Sequence, residues 1–148
     1  MRFLSVFIVT ALAVTGCRNT RSDNSDYGLL KIQAPSGEEF YFRRQMRGRN
    51  YDALSLSSNP NFCSEPSPDN ALIFQGMGPI EVFYRFEGNE LHLYKMQEVN
   101  TPKSFSKDVK LVFHELTNQQ FIDLRKSYAS RGLQISDVSV NNELSCSD

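Results

Sequence analysis

IEVFYRFEGNELHLYKM (Ile80–Met96) is the most regular stretch of the sequence. Apolar and polar residues alternate on both sides of Gly88-Asn89, the pattern of two strands joined by a tight turn. A two-residue turn pairs Phe86 with Leu91 and Tyr84 with Leu93 on one face, which we read as the core face. Arg85 then lies opposite His92, and Phe83 opposite Tyr94, on the other face. The same register sets Glu87 against Glu90, an unfavourable like-charge pair, and a longer turn is the alternative.

Downstream, Val109–Leu116 predicts another strand. Thr117-Asn118-Gln119-Gln120 fits a capping box, in which the Thr hydroxyl and the Gln side chain satisfy backbone donors that a helix start leaves free. Phe121, Leu124 and Tyr128 follow at helical spacing, and Gly132 is suited to end the helix after about four turns. Leu133–Ile135 and Val138–Val140 predict a last strand with a bulge near Ser136-Asp137.

Upstream, Tyr27–Ala34 and Glu38–Arg44 read as strands around a Pro35-Ser36-Gly37 turn, and Tyr51–Leu56 as a looser strand. Asn59–Asn70, with Pro60, Pro66 and Pro68, reads as a loop that carries Cys63. Gln75–Pro79 reads as a bent connection. The fold class is α+β: a mainly antiparallel β-sheet or sandwich with one C-terminal amphipathic helix. Eleven Phe and six Tyr supply core material in a chain without Trp. A net charge of −1 over 148 residues gives no electrostatic case for nucleic-acid binding.

The N-terminus has a different character. Met1-Arg2 provides a positive charge, Phe3–Val14 is mostly apolar, and small residues Thr15-Gly16 precede Cys17. As a helix the apolar run rises about 18 Å, short of the ~30 Å of a bilayer core, so it reads as a removable secretory signal. Val14-Thr15-Gly16-Cys17 resembles the lipobox of bacterial lipoproteins. That resemblance implies cleavage before Cys17 and lipid attachment on its sulfur and its new amine, a firm anchor for two or three acyl chains. Arg18 after the cysteine, rather than Asp, implies sorting to the outer membrane, with the domain facing the periplasm.

With Cys17 lipidated in this way, Cys63 and Cys146 remain as an even pair in an oxidising compartment, which reads as one disulfide. It would close a loop of about 84 residues, worth up to ~4.5 kcal/mol in the chain-entropy treatment. The organisation that follows is a signal peptide at 1–16, a lipidated cysteine and polar tether at 17–26, and a single globular domain at 27–148.

Catalytic chemistry finds little purchase. His114-Glu115 lacks the second histidine of a zincin helix, since Asn118 stands at that position, and on a strand the two side chains diverge. His92 reads as a surface neighbour of Arg85. Two histidines supply too few ligands for a metal centre, and no cofactor motif is present. The most unusual polar segment holds Arg43, Arg44, Arg47 and Arg49 just before Tyr51. It reads either as a planar-donor patch for a partner's carboxylates or phosphates, or as a solvated loop.

These features favour a non-enzymatic protein-binding lipoprotein, anchored to the membrane by its lipid. At the level of architecture it resembles immunity lipoproteins that neutralise periplasmic toxins, such as those of type VI secretion. A structural or assembly lipoprotein of an envelope machine is the alternative, and an envelope hydrolase ranks behind both. Replacing Cys17→Ser should abolish incorporation of labelled palmitate and release the protein from the membrane fraction. Fluorography of the immunoprecipitated protein reads the label, and undiminished labelling would place the acylation elsewhere.

Overall fold

The computed structural model describes residues 25–47, 51–76, 80–140 and 146. The elements in chain order are β1 (Ser25–Gln33), β2 (Glu39–Arg47), β3 (Tyr51–Ser57), β4 (Leu72–Gln75), β5 (Phe83–Glu87), β6 (Glu90–Lys95), β7 (Glu98–Val99), β8 (Lys110–Glu115), α1 (Asn118–Ser127) and β9 (Gln134–Ile135). They form a five-stranded sheet in the order β1-β2-β3-β4-β7 and a four-stranded sheet in the order β8-β6-β5-β9. The chain is thus α+β, with mostly antiparallel strands and one late helix.

The Gly88-Asn89 hairpin has the predicted two-residue turn: Phe86 pairs with Leu91, Tyr84 with Leu93, Arg85 with His92 and Phe83 with Tyr94. Gly88 takes φ 57°, a left-handed conformation that suits glycine. Glu87 does lie opposite Glu90. The repulsion is relieved by cations, since Arg85 pairs with Glu87 and Lys110 reaches Glu90 at 2.9 Å. No longer turn is needed.

One pairing departs from the antiparallel expectation. β8 lies parallel to β6, with Leu91 opposite Leu111 and Leu93 opposite Phe113. Parallel neighbours need a crossover. Here the chain leaves β6, contributes β7 to the edge of the other sheet beside β4, and only then returns as β8.

The facing sides of the sheets make the main core. Phe40, Phe42, Leu54, Leu56 and Leu72 from the first sheet and Leu91 and Leu93 from the second are fully buried. Phe42 and Tyr84 meet across the sandwich with ring centroids 5.3 Å apart. The outer side of the second sheet is covered as well. Phe83, fully buried, packs under α1 and the following turn against Phe121 at 5.3 Å and Tyr128 at 5.4 Å, with Leu124 and Leu133 completing the cluster. β5 therefore buries apolar side chains on both faces.

The capping box at the start of α1 is present: the Thr117 hydroxyl accepts from the Gln120 amide, and the Gln120 side chain accepts from the Thr117 amide. The helix is shorter than predicted. It is α-helical for ten residues, tightens into a 3-10 turn at Ala129–Arg131, and ends at Gly132 with φ 67°. Among the described residues, no helix is long and apolar enough to cross a membrane.

Two terminal segments differ from the sequence reading. β1 starts at Ser25, inside the segment assigned to the tether, because Ser25 and Asp26 pair with Arg47 and Met46 through the backbone ladder, which does not require apolar side chains. At the other end only Gln134–Ile135 forms a strand, pairing with Tyr84 and Phe83. Beyond it Ser136, fully buried, accepts from the Val82 amide at 3.0 Å through its hydroxyl and donates its own amide to the Val82 carbonyl at 2.8 Å. Val138 then enters the core, and Val138-Ser139 lie against Gly28 of β1. Residues 136–139 thus bridge the edge of one sheet to the edge of the other instead of extending a strand. Cys146 is disulfide-bonded to Cys63, 83 positions away, with the Cα atoms 5.4 Å apart.

A Cβ on Gly28 would stand 2.6 Å from the Ser139 carbonyl oxygen and 2.7 Å from Val138 Cγ1. Alanine normally stabilises a strand interior by about 0.5–1 kcal/mol over glycine, but overpacking here costs roughly 1–3 kcal/mol. Gly28→Ala should therefore lower the urea midpoint, and an unchanged or raised midpoint would show that the 136–139 bridge yields freely.

Candidate functional site

The arginine-rich segment does not gather on one surface. On β2 side chains alternate, and Phe40 and Phe42 face the core. Arg44 shares their face and Arg43 the opposite one. Arg44 forms a bidentate ion pair with Asp52 of β3, Nε to Oδ1 at 2.9 Å and Nη2 to Oδ2 at 2.6 Å, with side chains only 13% and 12% exposed. Asp52 Oδ2 also accepts from the Ile80 amide at 3.1 Å. The Asp52 hydrogen bonds raise the Arg44 pKa further, against the opposing effect of burial.

Arg43 is 8% exposed on the outer side of the first sheet. Its Nε donates to the Phe62 carbonyl, and its guanidinium lies 5.3 Å from the Tyr27 ring centroid. Tyr27 also contacts the Phe62 ring at 5.7 Å and accepts from Gln45 Nε2 at 3.2 Å. Arg47 ends β2 and stands opposite Tyr51, the first residue of β3. Arg49 and the side chains of Arg47 and Tyr51 lie outside the described residues. The patch thus resolves into one arginine in the sandwich interior, one under the Cys63 loop, and a strand end. β-strand parity relative to Phe40 and Phe42 is the signal that separates Arg43 from Arg44 in the sequence.

An open cleft lies elsewhere. A cleft of about 440 Å³ is walled by Lys31, Ile32 and Gln33 of β1 and by Tyr84, Arg85 and Phe86 of β5, with Gly132 and Gln134 at one end. β1 is an edge strand, and β9 pairs with β5 only at Phe83 and Tyr84. Residues 136–139 fill the gap between the sheets near Gly28 and Val82, and the cleft is the part they leave open. Lys31 is paired with Glu39, and Arg85 with Glu87, so the cations on its walls are held in place. The volume lies within the ordinary range of ligand sites, and two strand edges present backbone groups to whatever enters.

The histidines also come together. His92 is buried, not at the surface as the sequence suggested, and its Nδ1 lies 2.9 Å from His114 Nε2 on the parallel strand, one ring donating and the other accepting. His114 stacks on Tyr94 with centroids 4.3 Å apart. Glu87 and Glu90 lie 3.6 and 3.4 Å from His92 Nε2. The described residues contain no group of three or more His, Cys, Asp or Glu placed to hold a metal ion. The sequence could not have shown this pair, because it depends on β8 lying parallel to β6.

Compared with protein-family models, curated proteins and solved structures, the chain matches none.

Burial, followed by the neighbouring His92 and Arg85, lowers the His114 pKa below 6.5, with Glu87 opposing. The unfolded chain protonates this residue near the ordinary value while the folded one resists, so its contribution to stability is intact above about pH 6.5 and declines as the pH falls below it. Urea midpoints should drop between pH 7.5 and 5.5, and His114→Gln should flatten that drop. An equally steep profile in the variant would assign the dependence to other groups.

Proposed function

We propose that this chain is a lipid-anchored, non-enzymatic protein-binding module of the bacterial envelope, held at the periplasmic face of the outer membrane, and that it acts as an immunity protein against a periplasmic toxin. The observation that carries the reading is the cleft between β1 and β5, where two strand edges face one gap. Backbone donors and acceptors on such edges pair with an extended chain, and side chains on the walls supply selectivity. An extended segment of the toxin would lie between Lys31 and Arg85 and take the place that residues 136–139 occupy further along the same gap. The Val14–Cys17 lipobox and the Cys63–Cys146 disulfide support an exported chain.

This reading relocates the binding surface from the arginine segment, since Arg43 and Arg44 are already engaged within the fold. Binding by Arg47, Arg49 and Tyr51 stays part of the proposal as a contact separate from the cleft, because the Arg47 backbone pairs with Ser25, at the end of β1 away from Lys31–Gln33. The second reading, an assembly lipoprotein of an envelope machine, uses the same cleft for a permanent partner.

Affinity capture from detergent-solubilised membranes, together with the identity of the adjacent genes, separates the two. An immunity role predicts a toxin encoded next door whose activity is titrated to zero at a 1:1 ratio, and Lys31→Glu with Arg85→Glu should weaken that complex by at least about tenfold, roughly 1.4 kcal/mol. A constant envelope partner with no toxin favours assembly. Full affinity in the double variant would remove the cleft from the interface.

A further inference from the structure

We infer that the cavity beneath the Cys63 loop is a binding site for one small oxyanion group, a phosphate, sulfate or carboxylate. The inference is independent of the β1–β5 cleft and of the partner proposed for it. It starts from Arg43, whose place on β2 puts a guanidinium on the outer sheet face under the segment that contains Phe62. Nε is satisfied by the Phe62 carbonyl, and the Tyr27 ring covers part of the group. Nη2 is buried without a hydrogen-bond partner among the described residues. A buried cation without a full set of acceptors is costly, and an oxyanion beside it supplies acceptors.

The space for one is present. A cavity of about 90 Å³ is lined by Arg43 together with Ser55, Ser57, Asn61, Ser67 and Asn70. That is room for several water-sized positions, enough for a group of three or four oxygens. The lining is weighted toward donors. The Ser57 and Ser67 hydroxyls already accept from the Asn59 and Asp69 amides, each at 3.3 Å, which leaves their own protons to donate. Asn61 Oδ1 accepts from the Cys63 amide at 3.0 Å, which leaves its NH2 group free to donate. Glu65 also lines the cavity, but it is exposed and has an interaction of its own. A guanidinium with convergent hydroxyl and amide donors matches an oxyanion better than any cationic or apolar group.

The purified full-length chain in detergent tests this with sodium sulfate, phosphate and acetate, each against sodium chloride at equal ionic strength. The site predicts a saturable rise of several degrees in melting temperature and one anion bound per chain by calorimetry. Preference for sulfate and phosphate identifies a tetrahedral ligand, and preference for acetate a carboxylate. Both effects should vanish in Arg43→Gln. Should that variant fail to fold, Ser57→Leu decides, because it fills the cavity and keeps the guanidinium. A rise no greater than chloride gives, or saturable binding retained in a folded variant of either kind, would overturn the assignment.

Discussion

The contact between Phe42 and Tyr84 across the two sheets sets much of what the rest of the molecule does. Once Phe42 faces inward, strand periodicity leaves no choice for its neighbours: Arg43 must face outward and Arg44 inward. An inward, largely covered arginine needs a paired, hydrogen-bonded carboxylate, and Asp52 of the adjacent strand supplies it while also tying the Ile80 amide to the same oxygen. The outward arginine meets the opposite problem, since the sheet face around it is roofed by the segment containing Phe62. Strand parity, set by the residues that face the core, thus places two like residues in environments with different partners.

Local signals in the sequence carried through to the structure where they depended on neighbours close in the chain. The Gly88-Asn89 hairpin, the Thr117–Gln120 capping box and the Gly132 terminus involve residues within a few positions of one another, so their geometry follows from backbone and side-chain chemistry alone. The mainly antiparallel sheets with one late helix, and the Cys63–Cys146 pairing, were legible as well. What escaped was the way distant segments meet. Nothing near Val109–Leu116 says that this strand lies parallel to β6, and only that arrangement brings His114 to His92. Likewise, Arg43 and Arg44 look alike in a run of basic residues, and the parity that separates them acquires meaning only when Phe40 and Phe42 are known to face the core. The β1–β5 cleft had no sequence signature, because it is made by what residues 136–139 do not reach.

The same C-terminal segment explains how the sandwich is closed on that side. Ser136 exchanges two hydrogen bonds with Val82, Val138 enters the core, and Gly28 has no side chain to obstruct Ser139. Each of these is individually modest, about 1 kcal/mol for a hydrogen bond. Ordering an irregular segment costs roughly 1–2 kcal/mol per residue in backbone entropy. The bonds to Val82 and the burial of Val138 offset that cost locally, and the disulfide adds a constraint from further along by restricting the unfolded chain.

The position of that disulfide is prepared by short-range chemistry. Asn59 accepts from the Asn61 amide and Asn61 from the Cys63 amide, two successive turns in which a side-chain carbonyl replaces a backbone acceptor, while Asn59 Nδ2 reaches the Ser64 hydroxyl. The loop that presents Cys63 is therefore shaped by its own asparagines, and the Phe62 carbonyl is aimed at Arg43 by the same turns. A tail joined to a pre-shaped loop loses less freedom than one joined to a mobile loop, and the loop in turn is held to the sheet at the guanidinium and to Cys146 at the sulfur. The covalent bond and the buried cation therefore act on one segment from two sides.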